Sequence, residues 1–308
     1  MSKLFSWSVK YALFALLLIV VASSCKKGEL VPDNNAPYYD GVPTVKVQNY
    51  VNRLYIDLIG REPLDTEMIN DVATLRAENL SMESRDLLIT KLQTDTNYIA
   101  GDSSYFVAYY QRLYNLFKFR LLEGASDAEI DVYMGLSQND IFSDSLNGDS
   151  LGMQRAKLEV AKYQRVKAIP FELRSGVIDI RTAYARLLNN GVYDFINMNS
   201  FNFVRASFND LFGRYPTQNE FDNSFAMVDA NESRIVLGQP GQNKGDFINI
   251  LVNATEFKEG LIRWAYKTFM ARDATTAEVN ALMQDFTTTL NFPRMQKEIL
   301  KTDEYANF

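Results

Sequence analysis

The chain has 308 residues, a formal net charge of −6, one cysteine and no histidine. The absence of histidine excludes Ser-His-Asp and Cys-His catalytic sets and every histidine-ligated metal or haem site. The acidic balance argues against nucleic acid as a partner and against electrostatic attraction to anionic lipid. A chain of this length can bury a substantial hydrophobic core.

Residues 1–24 have the organisation of a secretory signal peptide. Lys3 and Lys10 form a basic segment, residues 11–21 (YALFALLLIVV) are apolar, and residues 22–24 are small. The apolar segment is shorter than the roughly 20 residues that a membrane-spanning helix needs. Cys25 follows directly, and as the only cysteine it cannot form a disulfide within the chain.

The residues Ala22-Ser23-Ser24-Cys25 resemble the lipobox of bacterial lipoproteins. The resemblance implies that Cys25 carries a diacylglycerol and that the preceding peptide is removed. Several acyl chains together give the stable anchoring that a single chain does not. Lys26 differs from the aspartate of an inner-membrane retention signal, which favours the outer membrane. Residues 26–29 partly resemble the tag of Bacteroidota surface lipoproteins, and the periplasmic and cell-surface faces both stay open.

Residues 25–43 are predicted to be the lipidated cysteine and a flexible tether. The segment KKGELVPDNNAPYYDGVP is rich in Pro, Gly, Asn and charged residues and has no apolar periodicity. A flexible chain of this length has a root-mean-square reach of about 25 Å, which would lift a domain clear of the lipid headgroups. We expect that domain to occupy residues 44–308.

The strongest pattern in the remaining sequence is internal repetition. Residues 57–68 (DLIGREPLDTEM) and 210–221 (DLFGRYPTQNEF) share six residues at identical spacing. Residues 268–279 (TFMARDATTAEV) keep the same arginine-to-glutamate separation, and residues 112–130 (RLYNLFKFRLLEGASDAEI) form a looser copy, three residues longer before its glutamate. The repeated pairs are Arg61 and Glu67, Arg214 and Glu220, and Arg272 and Glu278.

A second pattern follows each copy. An aliphatic residue stands six positions before an aromatic residue in each of four segments, 92–98, 187–193, 251–257 and 299–305. Two linked patterns in the same order predict an all-α domain of four related, stacked units of about three helices each. The predicted units lie near residues 44–100, 104–195, 200–258 and 261–308, and the second contains an insertion over 137–175.

The repeated arginine and glutamate have a structural explanation. A helix ends near Gly60-Arg61, where glycine permits a left-handed cap and arginine suits the negative end of the helix. Pro63 and Pro216 prevent the helix from continuing. The next helix opens with a Ser/Thr-x-x-Glu capping box in three copies, at residues 126–129, 217–220 and 275–278. We therefore predict a repeated helical turn, and not a carboxylate–guanidinium active site.

The Leu-x-Gly-Arg, Pro and Glu-led-helix pattern resembles helical modules of unknown function in secreted bacterial proteins. These include modules that accompany cytochrome-like domains in planctomycetes. The resemblance implies a fold more than an activity. The chain has no Cys-x-x-Cys-His haem motif, and we expect no cofactor and no metal.

Two polar segments invite other interpretations. Residues 238–246 (GQPGQNKGD) lack the spacing of a phosphate-binding loop, and we expect a plain inter-helix loop there. Residues 137–152 are expected to be an exposed loop, and they fail as a calcium loop because Ser143 and Gln154 occupy positions that need acids. The same segment contains two Asp-Ser-Leu triplets that resemble the Bacteroidota O-glycosylation signal, which makes Ser145 and Ser150 possible acceptors.

The function that these observations favour is a non-catalytic interaction or scaffold lipoprotein, which braces or recruits an outer-membrane or cell-surface protein. One alternative is a lipoprotein that captures glycans or nutrients, similar to the helical sugar-binding lipoproteins of Bacteroidota. A carboxylate-only carbohydrate-active enzyme is a further alternative, since it needs only two carboxyl groups about 5–9 Å apart. An exposed cluster of Tyr or Trp around a pocket would favour capture, and a broad apolar groove or patch would favour the scaffold.

Overall fold

The computed structural model describes residues 41–99 and 103–308. The predicted signal peptide, Cys25 and the tether up to residue 40 lie outside these residues. The described residues form sixteen helices and one short two-stranded sheet, so the all-α prediction is confirmed. The division into four units stays a prediction.

The first nine helices are α1 (Thr44–Leu58), α2 (Asp65–Ala77), α3 (Met82–Thr94), α4 (Tyr105–Leu121), α5 (Asp127–Asn147), α6 (Ser150–Lys167), α7 (Ile169–Arg174), α8 (Ile180–Leu188) and α9 (Gly191–Asn197). They are followed by α10 (Ser200–Phe212), α11 (Gln218–Asp229), β1 (Arg234–Val236), β2 (Gln239–Gly241), α12 (Lys244–Asn253), α13 (Thr255–Met270), α14 (Thr276–Thr289), α15 (Phe292–Leu300) and α16 (Asp303–Ala306).

The core is rich in aromatic rings. The ring of Phe117 on α4 lies 4.8 Å from that of Tyr184 on α8 and 5.7 Å from that of Phe292 on α15. Helices α10 and α13 cross in backbone contact, since a side chain at Gly260 would place its Cβ 1.9 Å from the Leu211 carbonyl oxygen. Most of the Tyr and Phe side chains of α4 and α10 therefore lie in the core.

The end of the domain closes onto its beginning. Tyr305 of α16 donates a hydrogen bond to Asp57 of α1 at 2.7 Å, and Tyr50 of α1 donates to the carbonyl of Leu300 at 3.3 Å. A matching bond joins Tyr193 of α9 to Asp210 of α10 at 2.8 Å. Tyr305 and Tyr193 are the aromatic members of the repeated aliphatic–aromatic pattern. Their partners, Asp57 and Asp210, are the first residues of the two most similar repeat copies.

The aromatic member of that pattern is buried in three of its four copies. Tyr193, Phe257 and Tyr305 are all at most 1% exposed, whereas Tyr98 is 80% exposed. The first copy therefore departs from the others, although its aliphatic residue, Leu92, is fully buried.

The exposed loop expected over residues 137–152 is a helical hairpin, so that prediction is wrong. Helix α5 continues to Asn147, and α6 begins at Ser150 after Gly148, which has φ +70°. The Ser126–Glu129 capping box opens α5, and the Asp149 side chain accepts a hydrogen bond from the Gly152 N–H at 2.8 Å to cap α6. These caps outweigh the polar composition of the segment. The calcium-loop geometry is absent because the segment is helical.

The plain loop expected over 238–246 is also wrong in part. Residues 239–241 form β2, which pairs antiparallel with β1, with Ile235 opposite Pro240. Leu237 and Gly238 between the strands both have positive φ, which is the geometry of a tight two-residue hairpin turn. The side chain of Asn243 then accepts from the Asp246 N–H and starts α12.

Candidate functional site

Four turns that join successive helices correspond to the four predicted repeat motifs. We call them corner 1 (α1 to α2, residues 59–64), corner 2 (α4 to α5, residues 122–126), corner 3 (α10 to α11, residues 213–217) and corner 4 (α13 to α14, residues 271–275).

Corners 1, 3 and 4 have the same hydrogen bonds. In each, an arginine donates two bonds to a glutamate six residues later and one to the carbonyl of the next residue. The Nη2-to-Oε1 distances are 2.9 Å for Arg61–Glu67, 2.8 Å for Arg214–Glu220 and 2.6 Å for Arg272–Glu278. Each glutamate also accepts the N-cap N–H at 2.7 Å, even at corner 1, where Leu64 replaces the capping hydroxyl.

These carboxylates are held in their charged form. Hydrogen bonds from Arg214 lower the pKa of Glu220 to about 2, and those from Arg272 do the same for Glu278. Burial alone would raise the pKa of Glu67, but bonds from Arg61, Tyr105 and the Leu64 N–H lower it to about 2. A carboxylate that is fully occupied in this way is a structural tie and a poor acid or base catalyst.

Corner 2 keeps the helix cap and lacks the arginine. Four residues, 122–125, separate the end of α4 from the N-cap residue Ser126, the same number as at corners 3 and 4. Glu129 accepts from the Ser126 N–H at 2.7 Å, as the capping box requires. Three residues before the N-cap, where the other corners have arginine, stands the exposed residue Glu123. Corner 2 is therefore capped but not tied by a guanidinium.

Lys118, which lies near corner 2, is engaged elsewhere. Lys118 forms an ion pair with Asp127 at 2.7 Å, and Tyr114 donates to the same carboxylate oxygen at 2.9 Å. This pair lies at the first residue of α5 and leaves the linker itself without a charged tie.

Beside corner 2, α5 and α9 flank an open groove of about 630 Å³, which we call the hairpin groove. Its lining includes Val132, Leu136 and Phe195, which are 63%, 56% and 68% exposed. The ring of Tyr133 lies 5.7 Å from that of Phe195 and forms the floor between the two helices. Gly124 of corner 2 lines the end of this groove.

The same helical hairpin exposes more apolar residues toward its tip. Of the 21 residues of α5, only Ile130 and Ser137 are buried. Four further large apolar side chains are between 64% and 72% exposed: Phe142, Leu146, Leu151 and Leu158. Large apolar side chains exposed close together are typical of an interaction site.

The base of the hairpin is fixed to the domain. Tyr163 and Val166 of α6 are buried, and the Tyr163 hydroxyl lies so close to Gly191 that a Cβ there would approach it to 2.1 Å. The hairpin is thus held at its base, and Phe142, Leu146 and Leu151 are exposed near the turn between α5 and α6.

The two candidate glycosylation residues flank that turn. Ser145 lies in the last turn of α5, and Ser150 is the first residue of α6; both are exposed. Their modification stays a prediction. The Asp-Ser-Leu triplets also contribute Leu146 and Leu151 to the exposed apolar set.

Sequence reasoning missed the apolar residues of the hairpin. A signal was present, since Val132 and Leu136, like Phe142 and Leu146, are four residues apart and therefore share a helix face. The polar and glycine residues between them favoured a loop instead.

Comparisons with known proteins found no matching protein family, no similar curated protein and no similar solved structure. Across residues 41–99 and 103–308, no helix is both long and apolar enough to cross a membrane. The same residues contain no group of three or more acidic, cysteine or histidine side chains arranged to hold a metal ion.

Proposed function

We propose that this protein is a non-catalytic scaffold lipoprotein of the bacterial outer membrane, which recruits or braces a protein partner through the α5–α6 hairpin. The observation that carries the proposal is the set of large apolar side chains exposed on one protruding hairpin: Val132, Leu136, Phe142, Leu146, Leu151 and Leu158.

The free energy gained by burying apolar side chains favours a protein partner. Complete burial of one leucine or phenylalanine side chain contributes about 1.5–3 kcal/mol, so a few of these residues would suffice to anchor an interface. Exposed to water, these apolar side chains contribute nothing to stability and promote aggregation. A hairpin that packs mainly against itself and ends in apolar side chains is suited to insertion against a complementary surface.

Glycan or nutrient capture has less support at this position. The hairpin groove is lined mainly by aliphatic residues and Phe195. Its tyrosine, Tyr133, makes tilted ring contacts with Tyr163 and Phe195 and is only partly exposed. Sugar-binding sites use exposed aromatic faces together with several polar groups. A broad apolar groove fits a protein surface better.

To test the role of the hairpin, proteins cross-linked to this chain in native membranes are recovered, and the amount of the main partner is measured. We expect Phe142→Ser combined with Leu146→Ser to lower the recovery of the main cross-linked partner by at least about tenfold, since two buried apolar contacts are lost. The matched control is Ile69→Ser combined with Leu87→Ser, since these residues are 67% and 68% exposed on α2 and α3. Equal recovery with both double variants, at unchanged helical content, would contradict the proposal.

The anchor is tested separately. We expect Cys25→Ala to move the protein out of the membrane fraction or to leave its leader uncleaved, because the acyl chains would then be missing. Metabolic labelling with an alkyne fatty acid provides the measurement. A variant that is labelled as strongly as the wild type would rule out lipidation at Cys25.

A further inference from the structure

A second groove borders corner 2 and lies between α4 and α13. We call it the α4–α13 groove; its volume is about 850 Å³. Helix α4 contributes residues at helical spacing, which share one face. The residues that matter below are Arg112, Leu116 and Phe119 from α4 and Trp264 and Thr268 from α13.

The apolar part of this groove is preformed. Phe119 is 75% exposed. The Trp264 ring lies 5.9 Å from that of Phe117 and 6.0 Å from that of Phe292, and the Arg120 guanidinium lies 5.1 Å from its centroid. These contacts fix the indole, so that a ligand would meet a rigid wall without an ordering cost.

The charged residues that line the groove are Arg112, Lys118 and Asp127. The Nε of Arg112 is buried and has no hydrogen-bond partner among the described residues. A buried donor left unsatisfied destabilises the folded chain, and more so if it is charged. The side chain is confined by Gly60, where a Cβ would approach Arg112 Cδ to 3.2 Å. The Nε of Arg112 is therefore held in place without an acceptor.

Arg53 shows what the equivalent arginine does when its acceptors are present. Both arginines open an Arg-Leu-Tyr triplet, at residues 53–55 and 112–114. Arg53 donates to the carbonyls of Tyr305 and Phe269, and its guanidinium lies 4.0 Å from the centroid of the Tyr305 ring. Burial raises the pKa of Asp57, and the charges of Arg53 and Arg112 both lower it. One carboxylate therefore faces two guanidinium groups.

The neighbouring cation does not compete for a ligand. Lys118 is already paired with Asp127 at 2.7 Å. The groove therefore offers one guanidinium with unused hydrogen-bonding capacity, next to apolar and aromatic walls. A guanidinium binds a carboxylate through two parallel hydrogen bonds, which is its preferred mode of anion recognition.

We propose that the α4–α13 groove binds an organic carboxylate with an apolar body. The carboxylate pairs with Arg112, and the apolar body lies against Leu116, Phe119 and Trp264. This site borders the hairpin groove at Gly124 but is lined by other helices, and it does not depend on the proposed scaffold role.

The test uses decanoate, with decanol and decyltrimethylammonium as probes of equal chain length and different charge. In the full chain carrying Trp7→Phe, Trp264 is the only tryptophan, so its fluorescence reports on the groove. We expect a saturable change with decanoate, and binding of decanol and of the cation that is at least about tenfold weaker, because each lacks the charged pair.

Two variants sharpen the result. We expect Arg112→Gln to weaken decanoate about tenfold while leaving decanol unchanged, and Phe119→Ala to weaken both, because it removes apolar contact. Arg205→Gln is the matched control, an exposed arginine whose guanidinium lies over the Tyr215 ring. The proposal is overturned if decanol binds as tightly as decanoate, if Arg112→Gln behaves like the control, or if decanoate gives no saturable change below its micellar range.

Discussion

Corners 3 and 4 join their helices through linkers of the same length as corner 2, and all three open the following helix with a capping box. They differ in the guanidinium. Arg214 and Arg272 each bind a second carboxylate beyond the repeat, from Glu256 and Glu304 respectively, and so connect the corner to the start of a later helix. Corner 2 has no such tie.

At the tied corners one motif has two structural functions, and corner 2 keeps only the first. The cap starts the helix, and the arginine fixes the turn against its surroundings. Where the arginine is missing, the chain leaves open surface on both sides, because the hairpin groove and the α4–α13 groove both border Gly124. The tied corners stabilise the fold, and the untied corner is where both proposed binding surfaces meet.

The largest expected effect is at a tied corner. We expect Arg214→Gln to lower the free energy of unfolding by about 3 kcal/mol, because Glu220 and Glu256 both lose charged hydrogen bonds. Urea unfolding monitored by circular dichroism measures the change.

The control for this change is Arg234→Gln. Arg234 makes one ion pair, with Glu232, and both side chains are about half exposed. An exposed pair contributes at most about 1 kcal/mol, so this variant should unfold close to the wild type. If the two variants lose equal stability, the corner arginine is not a structural tie.

The second effect is a difference in pH response. Asp210 lies in the last turn of α10, just before corner 3, and the charge of Glu123 at corner 2 also acts on it. Burial raises the pKa of Asp210 to about 6 from an ordinary 3.8. Its contribution to stability is therefore fully present below the unfolded value and is lost as the pH rises through about 6. Glu220 at corner 3 has a pKa lowered to about 2, so its contribution is present above 4.5 and is lost as the pH falls toward 2.

Paired variants separate these two slopes. We expect Asp210→Asn to remove a decline of about 2 kcal/mol between pH 4 and 7, since Asn remains neutral and can still accept from Tyr193. Glu220→Gln should instead flatten the loss of stability below pH 4.5. Thermal unfolding across this pH range gives both slopes, and an unchanged slope in Asp210→Asn would show that Asp210 titrates normally.

The sequence was sufficient for the tied corners and insufficient for the surfaces. Arg61, Glu67 and their equivalents were identified from spacing alone because the interactions are local: all lie within six residues and follow from helix caps. The closing hydrogen bond from Tyr305 to Asp57 joins residues far apart in the chain, and no local rule predicts it.

The hairpin was misjudged for a related reason. Its polar residues suggested a loop, yet Gly148 and Asp149 are a helix stop and a helix cap, and the apolar residues around them lie on faces without a partner in the domain. Local composition gives no information on whether an apolar helical face is buried against the same chain. The α4–α13 groove is likewise a product of how α4 and α13 lie together.

The smallest predicted effect comes from placing an arginine at corner 2. In Glu123→Arg the new side chain stands six residues before Glu129, the separation found at the tied corners. The backbone differs, however. At corners 3 and 4 the left-handed residue, Gly213 or Ala271, precedes the arginine, whereas at corner 2 residue 123 is itself left-handed, with φ +51°. We therefore expect a single exposed ion pair and a gain of about 0.5 kcal/mol or less in unfolding free energy.

The same substitution should act more clearly on Asp210, because the Glu123 charge helps to raise its pKa. We expect that pKa to fall in the order wild type, Glu123→Gln, Glu123→Arg, since the first change removes a negative charge and the second adds a positive one. Side-chain carboxyl shifts in an NMR titration measure it. A gain in stability from Glu123→Arg as large as the loss in Arg214→Gln would mean that corner 2 differs from the tied corners by one side chain only. If Glu123→Arg leaves the unfolding free energy unchanged and still lowers the pKa of Asp210, the backbone conformation of corner 2 prevents the new arginine from pairing with Glu129.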